Sequence, residues 1–321
     1  MQDFHAYLSI IENRLKSSAP VKEPDRLYQP IRYTLEGGGK RLRPVLLLAA
    51  CEAVGGDADS AVNQAAAIEM FHNFTLLHDD VMDRADMRRG RATVHRRFDE
   101  RRAILSGDTM LTMATQLLAE GCPDALLPRA LRLFNATAIG IYEGQQLDLD
   151  FESRDDVTVD EYINMIRLKT SVLLGCACAL GALMGGADDS RIRAFYRYGE
   201  ALGLAFQLQD DLLDTYGDPI VFGKEIGGDI INDKKTWLRI TAMAEDTSGI
   251  IAAETEHPSE PAEKIARVTG VYDSLGLAGR CRELVERYVN DAIACLDSIA
   301  MTQSARDFFA TLALGTCSRN H

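Results

Sequence analysis

Apolar residues recur at steps of three and four along almost the whole chain, and no stretch alternates apolar and polar positions convincingly enough to predict a strand. The pattern predicts helices near residues 2–17, 24–36, 41–55, 58–84, 103–120, 126–151, 158–168, 170–185, 189–216, 235–246, 260–275, 278–300 and 304–315. Glycine and proline mark the joints, in "EGGGK", "VGGDADS", "EGCPDALLP" and "MGGADDS". The stretch "DTSGIIAAETEHPSEPAEK" is the loosest and is expected to be a surface connection. Ser171 to Ala187 is free of charge for 17 residues and carries Gly175, Gly181, Gly185 and Gly186. A membrane span needs about 20 apolar residues, so a buried core helix is expected there instead. Neither a short repeat nor a linker divides the chain. The expectation is one all-α domain over residues 1–321, built as a long-helix bundle.

Composition narrows this picture. The chain has 321 residues, 46% of them hydrophobic but only 7% aromatic, and its abundant Ala and Leu favour helix. A formal net charge of -13 argues against nucleic acid or an anionic membrane as the main partner. An anionic substrate therefore needs a local cationic patch or bridging metal ions. Seven cysteines, an odd number without a CxxC, are expected to be buried reduced thiols of a cytoplasmic protein. The amphipathic start "MQDFHAYLSIIENRLK" is unlike a signal peptide.

Candidate chemistry begins on the helix predicted at 58–84. Ala61, Ala65, Ile68, His72, Thr75, Asp79 and Asp83 follow one another at steps of four and three, which sets them on one stripe. The stripe starts small and apolar and ends in two carboxylates, with Asp80 about a third of a turn away. An apolar cavity with an acidic mouth is the functional expectation. A solvated acidic helix end is the bland one, since like charges at i,i+4 cost only about 0.2–0.5 kcal/mol when exposed. "LAFQLQDDLLDTYGD" then repeats the device, with Asp210, Asp211 and Asp214 late in another apolar helix. Its matching stripe is Gly199, Gly203, Gln207, Asp210 and Asp214, and the two glycines fit either a neighbouring ligand or close helix packing. Two charges about 5 Å apart repel by ~3 kcal/mol at an effective dielectric of about 20, so facing clusters call for cations. Oxygen-only ligands suit Mg²⁺ completed by water and phosphate, whereas Zn²⁺ lacks its usual His and Cys.

Cations stand near these acids in sequence. "EGGGKRLRPVLLLAA" supplies Lys40, Arg41 and Arg43 at a helix start, where backbone N–H groups also favour an anion. "RRG" supplies Arg88 and Arg89, whose forked donors fit phosphate oxygens. "RLKTS" supplies Lys169 and Thr170, and "VFGKEIGGDIINDKKTW" supplies Lys224, Lys234 and Lys235.

Taken together, "GGGKRLRP", "HDDVMDRADMRRGRATVH", "EGQQLDLDFE", "LKTS", "FQLQDDLLDTYGD" and "GKEIGGDIINDKKT" resemble the trans-isoprenyl diphosphate synthases, or polyprenyl synthetases. The matches cover roughly residues 37 to 238 in that family's order. The resemblance implies antiparallel helices around a deep cavity, a homodimer without stable membrane insertion, and three Mg²⁺ ions, with Mn²⁺ as a substitute. It implies direct metal binding by Asp79, Asp83 and Asp210, supported by Asp80, Asp211 and Asp214. Arg88, Lys169, Lys224 and Lys234 are implied to hold an allylic diphosphate, and Lys40, Arg43, His72 and Arg89 isopentenyl diphosphate. Thr170 and Gln207 are implied to face the developing carbocation. The neighbouring Lys235 leaves the assignment of Lys234 open.

In this family bulky residues upstream of the first acidic motif close the pocket. Phe74 stands five residues before Asp79, Phe71 eight before and Thr75 four before. A helical wheel puts Thr75 under Asp79, so Phe74 as the floor rests on the resemblance. An aromatic there, with no insertion inside "DDVMD", resembles short-chain synthases ending at C20, with C15 the close alternative. A class I terpene cyclase has no need of "GGGKRLRP", and an inactive regulatory subunit is expected to lose aspartates that this chain keeps.

Overall fold

The structure is a computed structural model that describes residues 1–217 and 226–317. Backbone contacts gather the chain into two units. One comprises Met1–Asn135, Cys176–Tyr196 and Ile299–Arg306, and the other Ala136–Gly175, Arg197–Ser298 and Asp307–His321.

In the first unit, α1 (Phe4–Ser18) starts where the Asp3 carboxylate accepts from the Ala6 N–H. It is followed by α2 (Asp25–Leu35) and α3 (Leu42–Ala53). Asp57 then caps a single 3₁₀ turn, Ala58–Ala61, which leads into α4 (Val62–Met82). The predicted 58–84 helix is thus shorter, but Asp83 still donates its N–H to the Asp79 carbonyl at 2.9 Å and keeps the helical register. Helix α4 is the hub of this unit. It packs most extensively on α6 (Glu100–Ala119), and also on α3 and α1. Its middle is buried all round, from Ala65 to Phe71, as expected of a helix with little polar face.

Between α4 and α6 the chain makes a two-stranded hairpin, β1 (Met87–Arg88) with β2 (Arg91–Ala92), before the short helix α5 (Val94–Arg97). The expectation of no strand is overturned here. Two-residue strands are too short to show an alternating pattern. Arg89 and Gly90 form the turn, both at positive φ (52° and 71°), the combination of a type I′ hairpin.

The helix α7 (Leu127–Glu152) leads to the second unit. There α8 (Val159–Ile166) begins with a Thr158–Glu161 capping box. A π-helical turn, Arg167–Ser171, joins it to α9 (Val172–Met184), which from Cys176 onward belongs to the first unit. The two helices predicted at 158–168 and 170–185 are therefore one continuous rod with a π-bulge. By length and composition Val159–Met184 is apolar enough to cross a membrane, but 78% of that window is buried within the protein, as a core helix is. Then come α10 (Asp189–Tyr216), α11 (Gly228–Ile231), α12 (Trp237–Glu245), α13 (Ile250–Glu256), α14 (Pro261–Ser274), α15 (Leu277–Cys295) and α16 (Gln303–Cys317). Helix α13 corrects the expectation of a loose connection after Asp246. Ile251 and Glu254 are buried, and Glu254 accepts from Ser259 N–H and Oγ, both at 2.9 Å. The class is all-α, as the pattern predicted.

Candidate active site

Helix α4 carries two kinds of chemistry on one rod. His72 and Asp79 are seven residues apart, about 10 Å along the axis. Around His72 the first unit assembles cations. Arg43, one residue into α3, has its Nη1 3.2 Å from His72 Nε2. Burial holds the His72 imidazole well below the ordinary histidine range, and the charges of Arg43, Arg89, Arg88 and Arg41 push it further the same way. The arginines hold the imidazole neutral, and an anion bound among them would offset their repulsion and favour its protonation.

Arg89 reaches this corner from the hairpin turn and donates to the Gly38 carbonyl. Burial and then the neighbouring Arg41 and Arg88 lower its pKa, against the pull of Glu69. Gly39, at φ 133°, passes so close that a Cβ there falls 2.8 Å from the Arg89 guanidinium. Only glycine fits, which explains part of the "GGG" run. Lys40 is exposed at the edge. Arg41 departs from expectation: it is buried and turned inward, its guanidinium bound to Glu12 and Glu69.

At the C-terminal end of α4 stand Asp79, Asp80 and Asp83. Asp80 is buried, and Arg88 Nε donates to its Oδ1 at 2.7 Å while Arg88 Nη2 lies 3.5 Å from Asp79 Oδ2. Burial pushes the Asp80 carboxyl up to about 6, with Arg88 opposing and Asp79 and Asp83 adding to the rise. Arg88 thus acts here as a counter-ion for the acids.

The expected chain-length residues are also placed by this unit. Phe74 is buried, its ring 5.5 Å from Phe71 and 4.8 Å from His78, and Phe71 lies 5.1 Å from Phe134. Thr75 is partly exposed and donates to the His72 carbonyl at 2.8 Å.

In the second unit the π-turn presents Lys169 and Thr170. Lys169 Nζ meets Asp148 Oδ2 at 2.5 Å. Thr170 Oγ1 donates to Gln207 Oε1 at 3.1 Å, and Gln207 Nε2 donates to Asp211 Oδ1 at 2.9 Å. The other oxygen of Asp211 accepts from the buried Tyr162 hydroxyl. Burial pushes Asp211 up to about 7, helped by the charge of Asp229 and opposed by Tyr162, Lys234 and Gln207. Asp214 Oδ2 accepts from the Asp229 N–H at 2.9 Å. Asp210 opens this cluster one residue earlier on α10.

The glycines of the second stripe are settled in favour of packing. A Cβ on Gly203 falls 2.5 Å from Ser171 Cα, and one on Gly199 falls 2.4 Å from the Leu174 carbonyl. They let α10 lie against the π-turn and α9, so they position Thr170 and do not line an open space.

The two neighbouring lysines are placed differently. Asp233 adopts φ 52° and is held by Arg239 and Lys264, both at 2.8 Å. That turn sends Lys235 to Asp155 at 3.2 Å, buried, and leaves Lys234 4.0 Å from Asp229. Lys224 lies outside the described residues.

Residues that the pattern gave no role include Glu69, Asn73, Asp148, Tyr162, Asp229, Asp233, Arg239 and Lys264. They are single polar residues in apolar helices or in the turn after Gly227, and most take their meaning from partners distant in sequence. Among the described residues no three acids, histidines or cysteines form a ready metal cage. Pairs of aspartates that stop short of a full ligand set fit Mg²⁺, which takes one or two carboxylates and completes its shell with water and substrate phosphate.

Known proteins are similar to this chain over most of its length. The family model described as polyprenyl synthetase matches residues 24–273. The geranylgeranyl diphosphate synthase of Methanosarcina mazei is 39% identical over 291 residues, 90% of this chain and 89% of its own. The geranylfarnesyl diphosphate synthase of Natronomonas pharaonis is 39% identical over 262 residues, 76% of this chain and 77% of its own. A crystal structure of a geranylgeranyl pyrophosphate synthase matches with a TM-score of 0.94 at 40% identity, covering 99% of each chain.

Proposed function

The chain belongs to the polyprenyl synthetase family, and from that premise we propose that it joins isopentenyl diphosphate head-to-tail to allylic diphosphates of C5 to C15, giving an all-trans C20 diphosphate. The observation that carries this reading is the pairing on α4: the arginine-ringed neutral His72 lies about two turns from the paired Asp79 and Asp83. One end suits a bare diphosphate and the other a diphosphate held through cations.

Lys40, Arg43, His72 and Arg89 hold isopentenyl diphosphate. Arg88, Lys169, Lys224 and Lys234 hold the allylic diphosphate. Asp79, Asp83 and Asp210 bind Mg²⁺, which supplies positive charge to the departing diphosphate, and Asp80, Asp211 and Asp214 support them. Arg88 then exchanges its carboxylate partners for phosphate oxygens. The Thr170 hydroxyl and the Gln207 carbonyl face the allylic carbon as positive charge develops on it. The isopentenyl double bond attacks that carbon, and the proton lost afterwards goes to the released diphosphate. Phe74, backed by Phe71 and with Thr75 beside it, sets the product length. The relatives' names support C20 over C15.

The proposal extends to a cytoplasmic homodimer. Ile104 and Leu105 on α6 are exposed, as are Ile139 and Tyr142 on α7, apolar side chains that a second copy would cover. The buried cysteines Cys51, Cys178 and Cys281, in no disulfide, support a reducing compartment. Incubation of the purified protein and Mg²⁺ with isopentenyl diphosphate and C5, C10 or C15 allylic diphosphates, followed by mass sizing, tests the assignment. C20 is expected from every starter. A product ending at C15 corrects the length, and no condensation at all removes the synthase reading.

A further inference from the structure

Arg41 sits in the middle of the cationic cradle and takes no part in its inner surface. It is 3% exposed and every side of its guanidinium is engaged: Nε with Glu12 Oε1 at 3.0 Å, Nη1 with Glu69 Oε1 at 2.7 Å, and Nη2 with the Leu35 carbonyl at 2.8 Å. These partners come from α1, α4 and the end of α2. Glu69 is itself buried and also accepts from Asn73 Nδ2 at 3.0 Å. A second bond from Asn73 Nδ2, at 2.7 Å, goes to the Glu69 carbonyl.

Two features tie this knot to the diphosphate corner. Arg41 has φ 47°, a left-handed conformation unfavourable for a side chain of its size, at the residue that starts α3. That turn separates Lys40 from Arg43. Its anchor Glu69 lies one helical turn before His72 on α4. The ion pair therefore spans from the α3 start to the turn of α4 that carries the histidine.

Building on the proposed function, we infer that the Arg41–Glu69 pair is a positioning device. It holds the left-handed turn at the start of α3 so that Arg43 and His72 meet one diphosphate, that of isopentenyl diphosphate. Arg41 itself does not touch the substrate. Apolar replacement of a buried ion pair is commonly tolerated by the fold, whereas removal of one partner strands a charge. The informative variant is therefore the double one, R41M/E69L, checked for helicity by circular dichroism and for its melting point.

The measurement is the KM for each substrate and kcat, together with calorimetric binding of isopentenyl diphosphate alone. A folded R41M/E69L is expected to raise the KM and Kd for isopentenyl diphosphate tenfold or more. The KM for the allylic substrate stays within about twofold and kcat at saturation within about threefold. R41K, which keeps the charge but not the three-way fork, is expected to fall between parent and double variant. An unchanged isopentenyl KM in the folded double variant, or equal rises in both KM values, overturns the inference. If the double variant does not fold, E69Q decides by the same split, with a threefold selective rise as support and none as refutation. A parent chain that binds isopentenyl diphosphate without forming product removes the synthase reading alone. A parent that does not bind it overturns the positioning role as well.

Discussion

The surroundings of Asp80 and Asp211 disfavour their negative charges. Burial leads in both cases, lifting the carboxyls to about 6 and about 7, above the ~3.9 of an unfolded aspartate. A raised carboxylate pKa stabilises the fold fully only below the unfolded value, and that stability fades as pH climbs through the folded value. A cation favours the deprotonated form and must displace the proton. Mg²⁺ binding is therefore expected to release protons near pH 6.5 and almost none near pH 8.5, and its affinity falls as pH drops through 7. Calorimetry in buffers of different ionisation heat measures this, and equal proton release at both values would sink it. Phe74 offers a second prediction at this scale. Its loss from the Phe71–Phe134 cluster is expected to destabilise by about 3–5 kcal/mol, as Phe→Ala core changes do. Phe74→Ala is also expected to lengthen the product beyond that of the parent, read by mass. An unchanged length relieves Phe74 of the stopper role.

At the scale of elements, long helices were legible because periodicity over fifteen or more residues averages out local ambiguity. The aspartates of α4 and α10 were legible because their spacing is helical and their neighbours apolar. The short pieces were not. Two-residue strands, the four-residue helix α5 and the single turn α11 leave no period to read. The π-turn at Arg167–Ser171 was also hidden, because one extra residue in a helical turn barely disturbs the pattern. Yet this turn aims Lys169 and Thr170, and Gly203 makes room for it. Gly203→Val is expected to push into Ser171, shift the Thr170–Gln207 contact and cut kcat at least tenfold with helicity retained. Steady-state kinetics and circular dichroism check this, and a parent-like kcat would mean that the turn tolerates displacement without consequence.

For the whole molecule, the proposed function requires that the acidic motifs of α4 and α10, far apart in the chain, serve one reaction. The proposed homodimer adds a prediction read in solution. Sedimentation equilibrium is expected to give twice the 35.4 kDa chain mass, and Leu105→Lys to shift it toward the single chain. A parent sedimenting as a single chain would discard the dimer. The most direct measurement of the central claim is condensation by Asp79→Ala and by Asp210→Ala, each alone, with isopentenyl diphosphate, an allylic diphosphate and Mg²⁺. The account predicts that each well-folded variant loses at least about 10²–10³-fold in kcat, the scale of removing a preorganised charge-stabilising group. Parent-like turnover in either variant would contradict it.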